Sequence, residues 1–418
     1  MKPPAGTLRQ ITVSRTYWLA AAAVLLIVAA TTTVTRIQHF SSRYITFDFN
    51  HYYAWAAEYA AGEPLWLEVP ASGYVRPGVV RTPFCNYTPF FVESTAWLAR
   101  FGPQTAHTIW EWLQVACVVL AILMLARSCA PPLELAATLA AIALALSAQS
   151  FRLLLFLGQC SPLLLVALAG FWLAARRGRP AAGGLCLAVA TLLKLYPGIL
   201  GGYLLIRRRW RQLGWTAGFA LLGIVATGPT NWLEFFRFSP VIANLVLENF
   251  RREFPLRYGA HLLEFTYLAS AWLTHQEWPP LWARASLSIA LGAAMAAILL
   301  RATLHSRDSN AGREGLVFGL WVAAGLIFSP LSGAHEFPLL DPAYLFAILL
   351  AYRAVIEGAQ RRGMLAAGIV LLAICLAPEL IHQVPAIWPA SLVPMMVLTG
   401  GMLLLEARPS VSPPAGLG

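Results

Sequence analysis

Uninterrupted apolar runs, each closed by a short arginine- or proline-rich break, recur along almost the whole chain. Such runs match the ~20 residues a helix needs to cross a bilayer core of ~30 Å. The pattern predicts spans over residues 17–34, 107–126, 133–148, 157–174, 213–228, 281–300, 315–328, 339–352, 365–380 and 390–405. The first has no small-residue cleavage pattern and reads as a retained helix, not a signal peptide.

The stretch 181–206 differs because both of its flanks are basic. Arg176, Arg177 and Arg179 precede it, and Arg207, Arg208, Arg209 and Arg211 follow it. Basic residues flank spans on the cytoplasmic side, so the segment is expected to go out and return, turning near Lys194, Tyr196, Pro197 and Gly198. A single kinked span is the alternative. Counting a hairpin here predicts an all-α polytopic membrane protein of about 12 transmembrane helices, with both termini cytoplasmic. Residues 1–406 then form one domain, followed by a disordered tail over 407–418. Two long outer loops, about 35–105 and 230–280, carry most of the polar side chains, and within them 50–61 and 232–250 read as interfacial helices.

Composition agrees: 58% of the 418 residues are apolar and 12% charged, against roughly 45–50% and 25% in a soluble domain. A net charge of +11 would suit nucleic acid, but the basic residues cluster at the ends of apolar runs and read as topology signals, so the expected surroundings are a lipid bilayer and no nucleic acid. The six cysteines lie mostly inside apolar runs without C-x-x-C spacing, which disfavours a disulfide framework or a metal site. No G-x-x-x-x-G-K-[ST] motif is present, which disfavours ATP-driven transport. The lack of an internal repeat weighs against a secondary transporter. A multi-span transporter or a flippase for lipid-linked sugars stays the alternative to an enzyme.

The chain has three aspartates, Asp48, Asp308 and Asp341. Asp308 sits in a basic inner break and Asp341 at a span's start. Asp48 follows the first span among Tyr44, Phe47, Phe49, Tyr52 and Tyr53, where partial desolvation suits a general base; the plainer reading is a helix N-cap. Lys194 is an ionisable group in an apolar region and would suit a lipid-linked phosphate, or it snorkels to the membrane surface. His335 and Glu336, in the break after residue 328, offer an imidazole and a carboxylate to a phosphate or sugar, or form part of a simple turn. Arg152 could bind phosphate or anchor to lipid headgroups, and Gln159 could bind a hydroxyl. These residues come from separate regions that all map to the outer side, as one active site would.

The motifs are also familiar. The run FDFNHYYAWAAEYAAGEPLW over 47–66 resembles the D-F-x-x-Y-Y-x-A-A segment of the family 87 glycosyltransferases. NYTPF at 86–90, LGQCSPLLL at 157–165, GRPAAGGLCLAVATLLKLYPG at 178–198 and SPLSGAHEF at 329–337 resemble further blocks of that family, in its order. The sequence departs from the family pattern at Trp66, Thr88, Gly333 and Glu336. The resemblance implies a C-type glycosyltransferase fold in a bacterial-type cytoplasmic membrane, with its active site on the extracytoplasmic side. It implies a polyprenyl-phosphate sugar donor, commonly mannose, and a glycolipid or glycan acceptor; no separate cofactor is expected, and metal dependence stays open, with a single acidic residue at the core of the site offering few ligands for Mg²⁺ or Mn²⁺. By motif matching Asp48 is the base, and Lys194 and His335 match positions that would hold the phosphate or the sugar; Tyr52, Tyr53, Arg152, Gln159 and Glu336 complete the substrate-binding candidates.

Overall fold

The computed structural model describes residues 15–43, 45–63, 65, 85, 87–129, 132–239, 266, 269–270, 273–275, 280–306, 311–329, 338–343 and 345–346. Helix is the regular structure formed among them.

The first helix, α1 (Arg15–Arg43), runs nine residues beyond its expected end. The threonines of this stretch bond within the helix: the hydroxyls of Thr32, Thr33 and Thr35 donate to the carbonyls of Val28, Ala29 and Thr31 at 2.8–3.0 Å. Among the described residues of the expected first outer loop, α2 (Phe47–Ala60), which covers most of the helix expected over 50–61, α3 (Pro89–Thr95) and a 3-10 turn (Ala96–Arg100) are helical. There follow α4 (Pro103–Ser128), α5 (Leu135–Ser147), α6 (Gln149–Leu157), α7 (Ser161–Arg176) and α8 (Pro180–Leu193). A 3-10 turn (Tyr196–Ile199) leads into α9 (Leu200–Ile206) and α10 (Trp210–Ala226). Beyond these lie α11 (Pro229–Ser239), α12 (Leu281–His305) and α13 (Ala311–Phe328).

Among the described residues, Thr16–His39, Pro103–Ser128 and Trp282–Leu304 are each long and apolar enough to cross a membrane alone. Two bent pairs, α5 with α6 at 54° and α10 with α11 at 98°, would raise that number to five as broken spans. The shorter apolar helices α7 and α8 pack against each other, α7 also against α4 and α8 against α10. Most of the spans expected after residue 338, the tail over 407–418 and most of the loop 230–280 fall outside the described residues.

The segment 181–206 does turn back. Gly184 abuts Trp215 and Gly223 abuts Leu192, so α8 and α10 run side by side in the same direction. Two parallel helices joined by residues 194–209 require that connection to return along the bundle. The charges meet accordingly: Arg176, ending α7, and Arg209, preceding α10, both bind the Glu314 carboxylate of α13, at 2.8 and 2.7 Å. Arg207 lies 3.6 Å from it, and the Tyr203 hydroxyl donates to it at 3.3 Å. Both basic flanks therefore sit at one end of the bundle and Lys194 at the other.

Candidate active site

At the Lys194 end the chain gathers side chains from four separate segments. Thr46, in extended conformation, precedes α2, so Asp48 occupies the first helical turn and not the N-cap. That turn carries the positive end of the helix dipole, a favourable place for a carboxylate. Gln159, in the turn between α6 and α7, donates from its Nε2 to Asp48 Oδ2. On its other side the Gln159 Oε1 faces the hydroxyls of Tyr52 and Tyr87, at 3.2 and 3.3 Å, and these lie 2.6 Å from each other. Each phenol has one proton, so one hydroxyl donates to the other and the second donates to the amide. The chain of bonds fixes which way the Gln159 amide points and thereby the carboxylate it holds.

The phenols are boxed in by rings. Tyr52 meets Tyr87 and Phe91 edge-on, each with centroids 4.9 Å apart, and Tyr87 lies 4.4 Å from Phe91. This burial raises both hydroxyls well above the ordinary phenol range, so they remain protonated donors. The buried Cys160 thiol donates to the Tyr87 oxygen at 3.8 Å. Lys194 reaches the cluster from α8, its Nζ 5.1 Å from the centre of the Tyr87 ring, a cation–π contact.

Two backbone features bring these parts together. Gly158 has φ +76°, and a Cβ there would run into Thr46 Oγ1 and lie 2.8 Å from Phe49 Cβ; only glycine lets the α6–α7 turn approach α2 this closely. Thr88 caps α3 by accepting from the Phe91 amide at 3.2 Å, while its own hydroxyl donates to the Leu192 carbonyl. Thr88 thus ties the Tyr87 segment to the end of α8, two residues before Lys194.

Of the residues expected from sequence, Asp48, Tyr52, Gln159 and Lys194 come together here. Arg152 is half-buried on α6, the helix that leads into Gln159. Tyr53 is engaged elsewhere, donating to the Phe101 carbonyl at 2.9 Å. His335 and Glu336 fall outside the described residues. Tyr87 and Cys160 were missed as site residues, although both lie inside quoted motifs. No group of three or more His, Cys, Asp or Glu able to hold a metal ion forms among the described residues.

A profile of glycosyltransferase family 87 matches residues 84–330, more than half of the chain. The chain belongs to glycosyltransferase family 87. It is a membrane glycosyltransferase, which sets the transporter and flippase alternative aside. Its family match includes Tyr87, Arg152, Gln159 and Lys194, while Asp48 and α2 lie before it. No curated protein matches the sequence.

Proposed function

We propose that this glycosyltransferase moves a hexose, mannose by resemblance, from a polyprenyl-phosphate donor to an extracytoplasmic glycolipid or glycan acceptor, with Asp48 as general base. The observation that carries the reading is the aim of the Asp48 carboxylate, set by Gln159 and two buried phenols within reach of a lysine. A proton acceptor beside a cation suits displacement of a phosphate ester.

In the proposed step Asp48 takes the proton of the acceptor hydroxyl as that oxygen bonds to the anomeric carbon. The carbon–oxygen bond to phosphate breaks, its electron pair leaves with the polyprenyl phosphate, and the configuration inverts. Lys194 balances the negative charge of the departing phosphate, and water later takes the proton from Asp48. A fold of about 12 spans with both termini cytoplasmic is the architecture this reading adopts. Asp48→Asn in the full-length protein, assayed in membranes with polyprenyl-phosphate mannose, is expected to abolish transfer while the protein folds and inserts normally. Wild-type turnover in that variant would remove Asp48 as base.

A further inference from the structure

The α4 helix is one of three helices among the described residues that are long and apolar enough to cross a membrane alone, yet one of its faces carries His107 and Glu111, both 0% exposed, and Gln114 one turn further along, 1% exposed. Ionisable side chains buried in such a helix are costly and call for a function. His107 Nε2 lies 3.0 Å from Thr46 Oγ1 and 3.7 Å from the Glu111 carboxylate. Thr46 immediately precedes α2 and gives that helix no side-chain cap; its hydroxyl is committed to the imidazole instead. The Phe49 ring packs on the same imidazole with centroids 5.1 Å apart. His107 therefore grips the residues on either side of Phe47–Asp48.

The same turn of α4 holds the other half of the pair. Trp110 donates from its indole nitrogen to the Gly158 carbonyl at 2.7 Å, and the next residue is Gln159, whose amide meets Asp48. Residues 107–110 thus form a ledge on which both partners of the Asp48–Gln159 contact rest. Gly158 closes the ring by packing directly on Thr46.

We infer that His107 is a positioning residue that sets the aim of Asp48 through Thr46. The inference rests on the reading of Asp48 as base and adds the device that points it. A carboxylate displaced by about 1 Å loses up to roughly a hundredfold in rate, while donor binding, made elsewhere, is largely kept.

The test uses full-length protein in membranes, with polyprenyl-phosphate mannose as donor probe. His107→Leu keeps the bulk and loses the bond; it is expected to lower kcat about ten- to a hundredfold with donor KM within about twofold. Thr46→Val removes the other partner and is expected to give the same split even if His107→Leu folds poorly. His107→Gln offers the hydroxyl an amide and is expected to recover most of kcat. Full kcat in both His107→Leu and Thr46→Val, beside an inactive Asp48→Asn, would overturn the inference alone. Full activity in Asp48→Asn would instead bring down the base reading, and this inference with it.

Discussion

Asp48 and Glu314 are carboxylates at opposite ends of one bundle, about 24 Å apart along α7 at 1.5 Å per residue, and they are held in different ways. Glu314 is enclosed by three guanidinium groups within 2.7–3.6 Å. Asp48 is held by the neutral amide of Gln159, itself oriented by two phenols. Charge placed on charge locks Glu314 as a clasp between α7, α10 and α13. An amide whose orientation is fixed by two buried phenols gives Asp48 a direction.

The comparison breaks most sharply by removing each charge in turn. Asp48→Asn is expected to lower transfer by about a thousandfold or more, in line with general base catalysis. Glu314→Gln is expected to leave kcat near wild type while its three arginines, left facing one another, cost on the order of 2 kcal/mol of stability, read as a lower melting temperature in detergent. A large kcat loss in Glu314→Gln with unchanged melting would collapse the distinction. A smaller effect is expected at the lysine. Lys194→Ala should raise donor KM about tenfold and leave acceptor KM nearly unchanged, through loss of one phosphate contact; equal changes in both would move Lys194 out of the donor site.

The smallest expected effect is on pH. His51, on the non-spanning helix α2, stacks on Trp55 with centroids 5.7 Å apart, and burial lowers its pKa from 6.5 to about 4. The unfolded chain thus binds a proton that the folded chain refuses between these values, so this contribution is intact above pH 6.5 and is lost as pH falls toward 4. Melting curves of wild type and His51→Phe should diverge below pH 6.5, with the variant less acid-sensitive. Parallel curves would remove His51 as the cause.

Much of the helical plan was legible because its signals are local. Seven of the expected runs, including 107–126, 213–228 and 281–300, correspond to observed helices, since an apolar run in lipid satisfies its backbone groups within itself by forming a helix. The turn at Lys194 was legible for a related reason: basic clusters on both flanks constrain the path between them. α1 runs past the apolar run that marked it, because a helix can continue through polar residues whose hydroxyls bond its own carbonyls, as those of Thr33 and Thr35 do. Tyr87 and Thr88 went unnoticed as partners of Gln159 and Leu192 because nothing near them in sequence marks the pairing.

The sequence by itself determined an integral membrane glycosyltransferase, the helical runs, the return of 181–206 and the choice of Asp48 as base candidate. These follow from hydropathy, from charge at run ends and from motif order, each readable within a short window. Only the tertiary structure decided what holds Asp48. Its contact with Gln159 spans 111 positions, that of Thr46 with His107 spans 61, and the clasp of Arg176 on Glu314 spans 138. Such pairings depend on how packed helices are rotated and shifted against one another. Packing of side chains across the bundle fixes that register, and no periodicity within a single helix encodes it.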